Sequence, residues 1–144
     1  MDVHWGYNNI RIIKGDEWKA AFKTNKGLFK PTSVMFFGMC NSLATFQSMM
    51  GNIFITMIEG KLVIVYMDDI LIFAGTKEEL TWITRMVLEK LQENNLFLKA
   101  KKCEFHKTKI EYLGMIIKEG RISMDPVKLG GIRDWPTPTM VKQV

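Results

Sequence analysis

The sequence predicts an α+β domain of two layers, an antiparallel sheet with helices packed on one face. Three observations predict it. Two apolar runs, residues 61–65 and 70–74, flank Tyr66-Met67-Asp68-Asp69 and read as the buried strands of a hairpin. Two segments carry apolar residues as amphipathic helices do: Leu43, Phe46, Met50, Ile53 and Met57 at steps of three and four, then Leu80, Ile83, Val87, Leu88 and Leu91 as the buried face of a second helix. Tight turns join successive strands, which implies antiparallel pairing, and helices beside such a sheet cover one of its faces.

Taken in order, residues 9–14 and 17–24 read as strands around Gly15-Asp16. Asn25-Lys26-Gly27 is a turn, followed by a short strand over Leu28-Phe29-Lys30. Asn41-Ser42 supplies a helix cap, Gly51 weakens the helix that follows, and Gly60 ends it. After the hairpin, Thr76 with Glu79 forms a capping box for the second helix, which stops near Asn94-Asn95. Lys99, Lys101 and Lys102 make a basic cluster. Residues 111–117 and 121–124 read as a hairpin around Glu119-Gly120. Asp125-Pro126 opens a last helix, with Asp as cap and Pro at its first position.

The chain has 144 residues, 47% of them apolar and 24% charged, which is ordinary for one globular domain. A net charge of +5 permits a polyanionic partner. Two cysteines, Cys40 and Cys103, are too few for a disulfide framework and point to a reducing compartment. Cys103-Glu104-Phe105-His106 lacks the second Cys/His pair of a zinc site. No apolar run reaches membrane-spanning length, so no membrane partner is expected. Residues 1–5 have neither the basic nor the apolar region of a signal peptide.

Chemistry concentrates at Asp68-Asp69. Hairpin turns favour Gly, which tolerates positive φ, whereas two adjacent carboxylates concentrate negative charge at one point. Carboxylates, waters and substrate phosphates are the usual ligands of Mg²⁺. Two such ions about 3.5–4 Å apart clamp the attacking and leaving oxygens of a phosphoryl transfer. An Asp pair alone is a small donor set for two ions, so a third carboxylate is expected from Asp2, Asp16, Glu17, Glu59 or Asp125. The plain alternative is a solvated acidic turn, and the residues by themselves leave the two readings evenly matched.

Several segments together resemble the palm of reverse transcriptases, specifically the Ty3/gypsy class of long-terminal-repeat retrotransposons. Met1-Asp2-Val3-His4-Trp5-Gly6-Tyr7 is similar to the first catalytic motif, in which an aromatic follows an Asp by five positions. The stretch from Phe37-Gly38-Met39-Cys40 through Ala44-Thr45-Phe46-Gln47 is similar to the second, and Tyr66-Met67-Asp68-Asp69 to the third. Leu96-Phe97-Leu98-Lys99 with Lys102-Cys103-Glu104-Phe105 resembles the fourth, and Tyr112-Leu113-Gly114 the primer grip. Ser123-Met124-Asp125-Pro126 with Ile132-Arg133-Asp134-Trp135-Pro136 resembles the link toward the thumb. The segments stand in the family's order. The resemblance divides the chain into a partial palm, residues 1–124, and the start of that link, residues 125–144.

The resemblance implies an RNA-directed DNA polymerase that transfers nucleotides to a primer 3′-hydroxyl. It selects Asp2 as the third carboxylate, so that Asp2, Asp68 and Asp69 would hold two Mg²⁺ ions. It implies Lys102 as the proton donor to pyrophosphate. Tyr7, Phe37 and Gly38 would form the pocket for the incoming deoxynucleoside triphosphate, Tyr7 selecting against a 2′-hydroxyl. Gln47, Tyr66 and Met67 would touch an RNA or DNA template-primer, and Leu113 and Gly114 would place the primer end. It further implies descent from a polyprotein and an intracellular setting, cytoplasmic or nuclear. The family's fingers, first palm strand, thumb and ribonuclease H regions are expected to be missing, which leaves Asp2 at a frayed end. Phe36 and Leu43 stand where the family usually has Pro, which favours a second reading: an inactive retrotransposon relic that at most binds nucleic acid.

Overall fold

A computed structural model describes the chain apart from residues 5, 32, 33, 37, 138 and 141–144, and apart from the side chain of Tyr7. Two compact units follow one another, Met1–Glu104 and Phe105–Val144. They part ahead of the last group of strands.

The first unit is built on a hairpin. Strand β4 (Val63–Tyr66) pairs antiparallel with β5 (Asp69–Ile72), closing on Tyr66 opposite Asp69. Strand β1 (Val3–His4) pairs antiparallel with β6 (Phe97–Leu98). An Asp2–Asp69 bridge joins the two pairs, so β1 runs between β5 and β6. The expected frayed terminus is therefore not found. The Met1 ammonium donates to the Ile70 carbonyl (2.8 Å), the Ile70 amide donates back to Met1 (2.8 Å), and Val3 donates to Asp68 (2.8 Å). Three backbone bonds hold this end as firmly as an interior strand.

Helices α1 (Ser42–Ile53), α2 (Ile55–Glu59) and α3 (Lys77–Glu93) cover the strands. Phe46, Met50, Phe54, Met57, Ile83, Val87 and Leu91 bury their side chains with Val3, Val63, Val65 and Ile70 in one core. Gly60 caps α2, as its position predicts. The Thr76 hydroxyl accepts from the Glu79 amide (3.2 Å), and the Glu79 carboxylate reaches back to the Gly75 amide (3.0 Å), one residue before the position a standard capping box uses. Two residues of these apolar repeats face outward. Leu43 is 50% exposed in the first turn of α1, and Leu88, beside buried Val87, is 42% exposed.

The strands expected before α1 are mostly absent. Residues 9–14 form a single bridge, Arg11 to Val34, and Glu17–Ala20 is a 3-10 turn. Local polar contacts hold that turn: Lys19 Nζ lies 2.8 Å from Asp16 Oδ1, and the Gly15 amide donates to Glu17 Oε2 (2.9 Å). Side chains that bond neighbouring backbone compete with a strand ladder. A hairpin of β2 (Phe22–Thr24) and β3 (Gly27–Phe29) follows.

In the second unit, β7 (Lys109–Tyr112), β8 (Met115–Lys118) and β9 (Arg121–Met124) form an antiparallel meander. The single strand expected over 111–117 is broken at Leu113 (φ 50°) and Gly114 (φ 77°), which form a two-residue turn. Helix α4 (Pro126–Arg133) starts as predicted, with Asp125 Oδ1 accepting from the Val127 amide (3.0 Å). All named strand pairs are antiparallel and helices accompany them, an α+β fold as expected.

Candidate active site

The tip of the β4–β5 hairpin and the start of β1 meet through their backbones. Apolar strands carry Asp68 and Asp69 there: Val63, Val65 and Ile70 are buried, while Asp68 and Asp69 are half-buried at the end. Met67, the first of two loop residues, has φ 53°, a left-handed conformation in which Gly is the usual occupant. The bridge sets Asp2 directly across from Asp69, and paired residues of antiparallel strands project to the same face.

Asp2 is held from the other side as well. The Lys99 amide donates to the Asp2 carbonyl (2.9 Å). Lys99 Nζ lies 2.8 Å from Asp2 Oδ1, and Lys102 Nζ lies 3.4 Å from Oδ2. A 3-10 turn over Ala100–Lys102 brings the two lysines to one side. The Asp2 side chain is 14% exposed, so its charge needs these partners. Oδ1 is buried and, ion pair apart, receives no hydrogen bond of good geometry.

The charges shift each other. Burial opposes ionisation of Asp2, but Lys99 and Lys102 outweigh it and hold the carboxyl below its ordinary 3.8. Asp69 moves the other way: burial, then the charges of Asp68 and Asp2, push it above 3.8. Pairing with Asp2 raises Lys99 against the opposing effect of burial. Asp69 thus feels both of the other carboxylates. Among the described residues, no three His, Cys, Asp or Glu side chains stand together so that they could hold a metal ion by themselves.

The other expected site residues are spread more widely. The backbone of Tyr7 lies in a 3-10 turn over Gly6–Asn9, and Phe37 is outside the described residues. Gly38 has φ 100° and open space where a Cβ would stand. Tyr66 is 50% exposed. Gln47, expected toward a template, turns its amide onto the hairpin, to Val65 and Met67. Leu113 and Gly114 form the β7–β8 turn in the second unit. By sequence, Lys99 stands out only as part of a basic cluster. Its spacing of three from Lys102, which one turn of 3-10 helix makes a shared face, is the signal that identifies it. Gly6 was likewise not singled out, yet a Cβ there would run into the Phe46 ring.

The sequence profile described as reverse transcriptase (RNA-dependent DNA polymerase) matches residues 1–117. The retrovirus-related Pol polyprotein from transposon 297 of Drosophila melanogaster is 35% identical over the whole chain, which spans 13% of that polyprotein. The transposon Tf2-3 polyprotein of Schizosaccharomyces pombe is 33% identical over the whole chain, which spans 11% of its length. Among solved structures, the foamy viral protease-reverse transcriptase in complex with an RNA/DNA hybrid matches 99% of the chain and 19% of its own length, with a TM-score of 0.82 and 24% identity. Its complex with double-stranded DNA matches 99% of the chain and 29% of its own length, with a TM-score of 0.83 and 22% identity. No helix among the described residues is long and apolar enough to cross a membrane.

Proposed function

This chain belongs to the reverse transcriptase (RNA-dependent DNA polymerase) family, and from that premise we propose that it houses the nucleotidyl-transfer centre of an RNA-directed DNA polymerase. One observation carries the reading: backbone pairing sets Asp2 against Asp69, beside Asp68, and the Asp68 and Asp2 charges oppose ionisation of Asp69. Packing gives no reason to gather them. A cation does.

The donor set fits Mg²⁺. It consists of hard carboxylate oxygens gathered where β1 meets the tip of the hairpin. Mg²⁺ is ordinarily held by one or two carboxylates plus waters and substrate phosphates, so a finished protein cage is not required. Asp2, Asp68 and Asp69 would hold two such ions, which activate the primer hydroxyl and neutralise the leaving pyrophosphate when bound.

The chain's own groups prepare that chemistry. Lys99, with the shorter contact, keeps Asp2 ionised and oriented. Lys102 is 64% exposed and its contact is longer, so it is the lysine able to turn away and give a proton to pyrophosphate. Tyr7, Phe37 and Gly38 take the incoming deoxynucleotide, the backbone at Gly38 leaving room for close approach. Tyr66 and Met67 meet the primer strand, and Leu113 and Gly114 place its end. The partner is a primed RNA or DNA template, held through its phosphates by the basic surface.

Primer extension tests the proposal. The full chain is given a primed RNA template, deoxynucleotides and Mg²⁺, beside Asp68→Asn. Extension is expected, falling by about 100-fold or more in the variant. No extension by the wild-type chain, or equal extension by the variant, overturns it.

A further inference from the structure

We propose that Gln47 is a positioning residue of the acidic centre, an inference that rests on the polymerase reading above. The side-chain amide of Gln47 spans the last turn of β4. Its Nε2 donates to the Val65 carbonyl (3.2 Å), and its Oε1 accepts from the Met67 amide (2.6 Å). These two backbone groups flank Tyr66, which pairs with Asp69 across the hairpin.

Successive residues of a strand turn their peptide groups to opposite edges. With Tyr66 turned toward β5, Val65 and Met67 face the other edge, and β4 has no second strand partner among the described strands. A primary amide offers an N–H donor beside a carbonyl acceptor, the same pair that a neighbouring strand presents. Gln47 therefore completes that edge as a single peptide unit would. It does so from a rigid base, lying in α1 next to fully buried Phe46 and one turn from Met50.

The consequence falls on the loop. Met67 is held at φ 53°, and Asp68 and Asp69 follow it directly. A bulky residue keeps such a conformation only where its surroundings over-determine it. The Gln47 bond to the Met67 amide is one such restraint, and it sits one residue from Asp68. Gln47 thus connects the α1 helix to the placement of Asp68 and Asp69 opposite Asp2.

The test uses the full chain and Gln47→Met, which keeps the length and removes both hydrogen bonds. Amide hydrogen exchange at Met67, the Mn²⁺ dissociation constant and the melting temperature are measured together. Exchange at Met67 is expected to speed up at least tenfold and Mn²⁺ binding to weaken by about tenfold, with the protein still folded at the assay temperature. A purely structural role would lower the melting temperature and leave Mn²⁺ affinity of the folded chain unchanged, which overturns the proposal. So does wild-type Met67 exchange combined with weaker primer-template binding, the result for a residue that touches the template. If Gln47→Met does not fold, Gln47→Asn, which keeps the amide but withdraws it by one carbon, is read by the same criteria. None of these readouts needs polymerisation, so a failure of primer extension leaves this comparison separately decidable.

Discussion

Asp69 and Asp2 are neighbours whose contributions to stability have opposite sign. The folded-state pKa of Asp69 is raised, so its ionised form opposes folding, and the penalty is relieved as pH falls through that raised value. Asp69→Asn is therefore expected to raise the melting temperature at pH 7, with the gain shrinking toward acid pH. The pKa of Asp2 is depressed, so its contribution is present above the unfolded value near 3.8 and is lost as pH falls through the folded one. Asp2→Asn is expected to lower the melting temperature at pH 7, and to matter less in acid. Thermal denaturation of both variants across pH reads the pair, and equal signs at pH 7 would contradict it. Asp68 and Asp69 were legible in the sequence because hydrophobic packing cannot explain two carboxylates between apolar strands. Asp2 was legible only through the family resemblance, since nothing local distinguishes it from Asp16 or Asp125. The pairing of Lys99 with Asp2 was not legible, because it depends on which strand lies beside β1.

Among the elements, helices were legible where period and caps agree, as in α3 with Thr76 before it and Ile83, Val87 and Leu91 on its buried face. Strands were legible only where nothing local competes. Gly15, Asp16, Glu17 and Lys19 satisfy one another and bend residues 9–20 into turns. Residues 111–117 read as one strand because a Leu ahead of Gly gives no turn signal, yet Leu113 adopts φ 50°. A left-handed Leu costs about 1 kcal/mol, and Asn tolerates that conformation better. Leu113→Asn is accordingly expected to stabilise the second unit by up to about 1 kcal/mol, seen as a higher urea midpoint at unchanged slope. Gly6→Ala acts in the opposite direction. The added methyl meets the fully buried Phe46 ring, and overpacking of that kind costs about 1–3 kcal/mol in urea denaturation. A neutral Gly6→Ala would mean that the turn before α1 does not rest on Phe46.

At the scale of the molecule, the two units differ in how much they bury. The first, Met1–Glu104, holds the apolar core. In the second, Phe105–Val144, Tyr112 is the one buried residue among those described. Domains of about 40 residues without disulfides or metals are marginal. Amides of β7, β8 and β9 are therefore expected to exchange hydrogen faster than those of α3, and equal protection would contradict that ranking. The α+β class was legible from the two helical periods and the central hairpin. The division at 104/105 was not, because the basic and polar residues on both sides of it carry no composition break.

The proposed function rests on one acidic centre shared by the chain's first strand and its central hairpin. Paramagnetic broadening by Mn²⁺, recorded on the isotope-labelled full chain at substoichiometric metal, tests this most directly. The account predicts that amide signals of Asp2, Asp68 and Asp69 broaden together, and that Asp68→Asn abolishes the effect. Broadening that leaves Asp2 sharp while Asp68 disappears, or that is scattered over surface carboxylates such as Glu78 and Glu93, would contradict it.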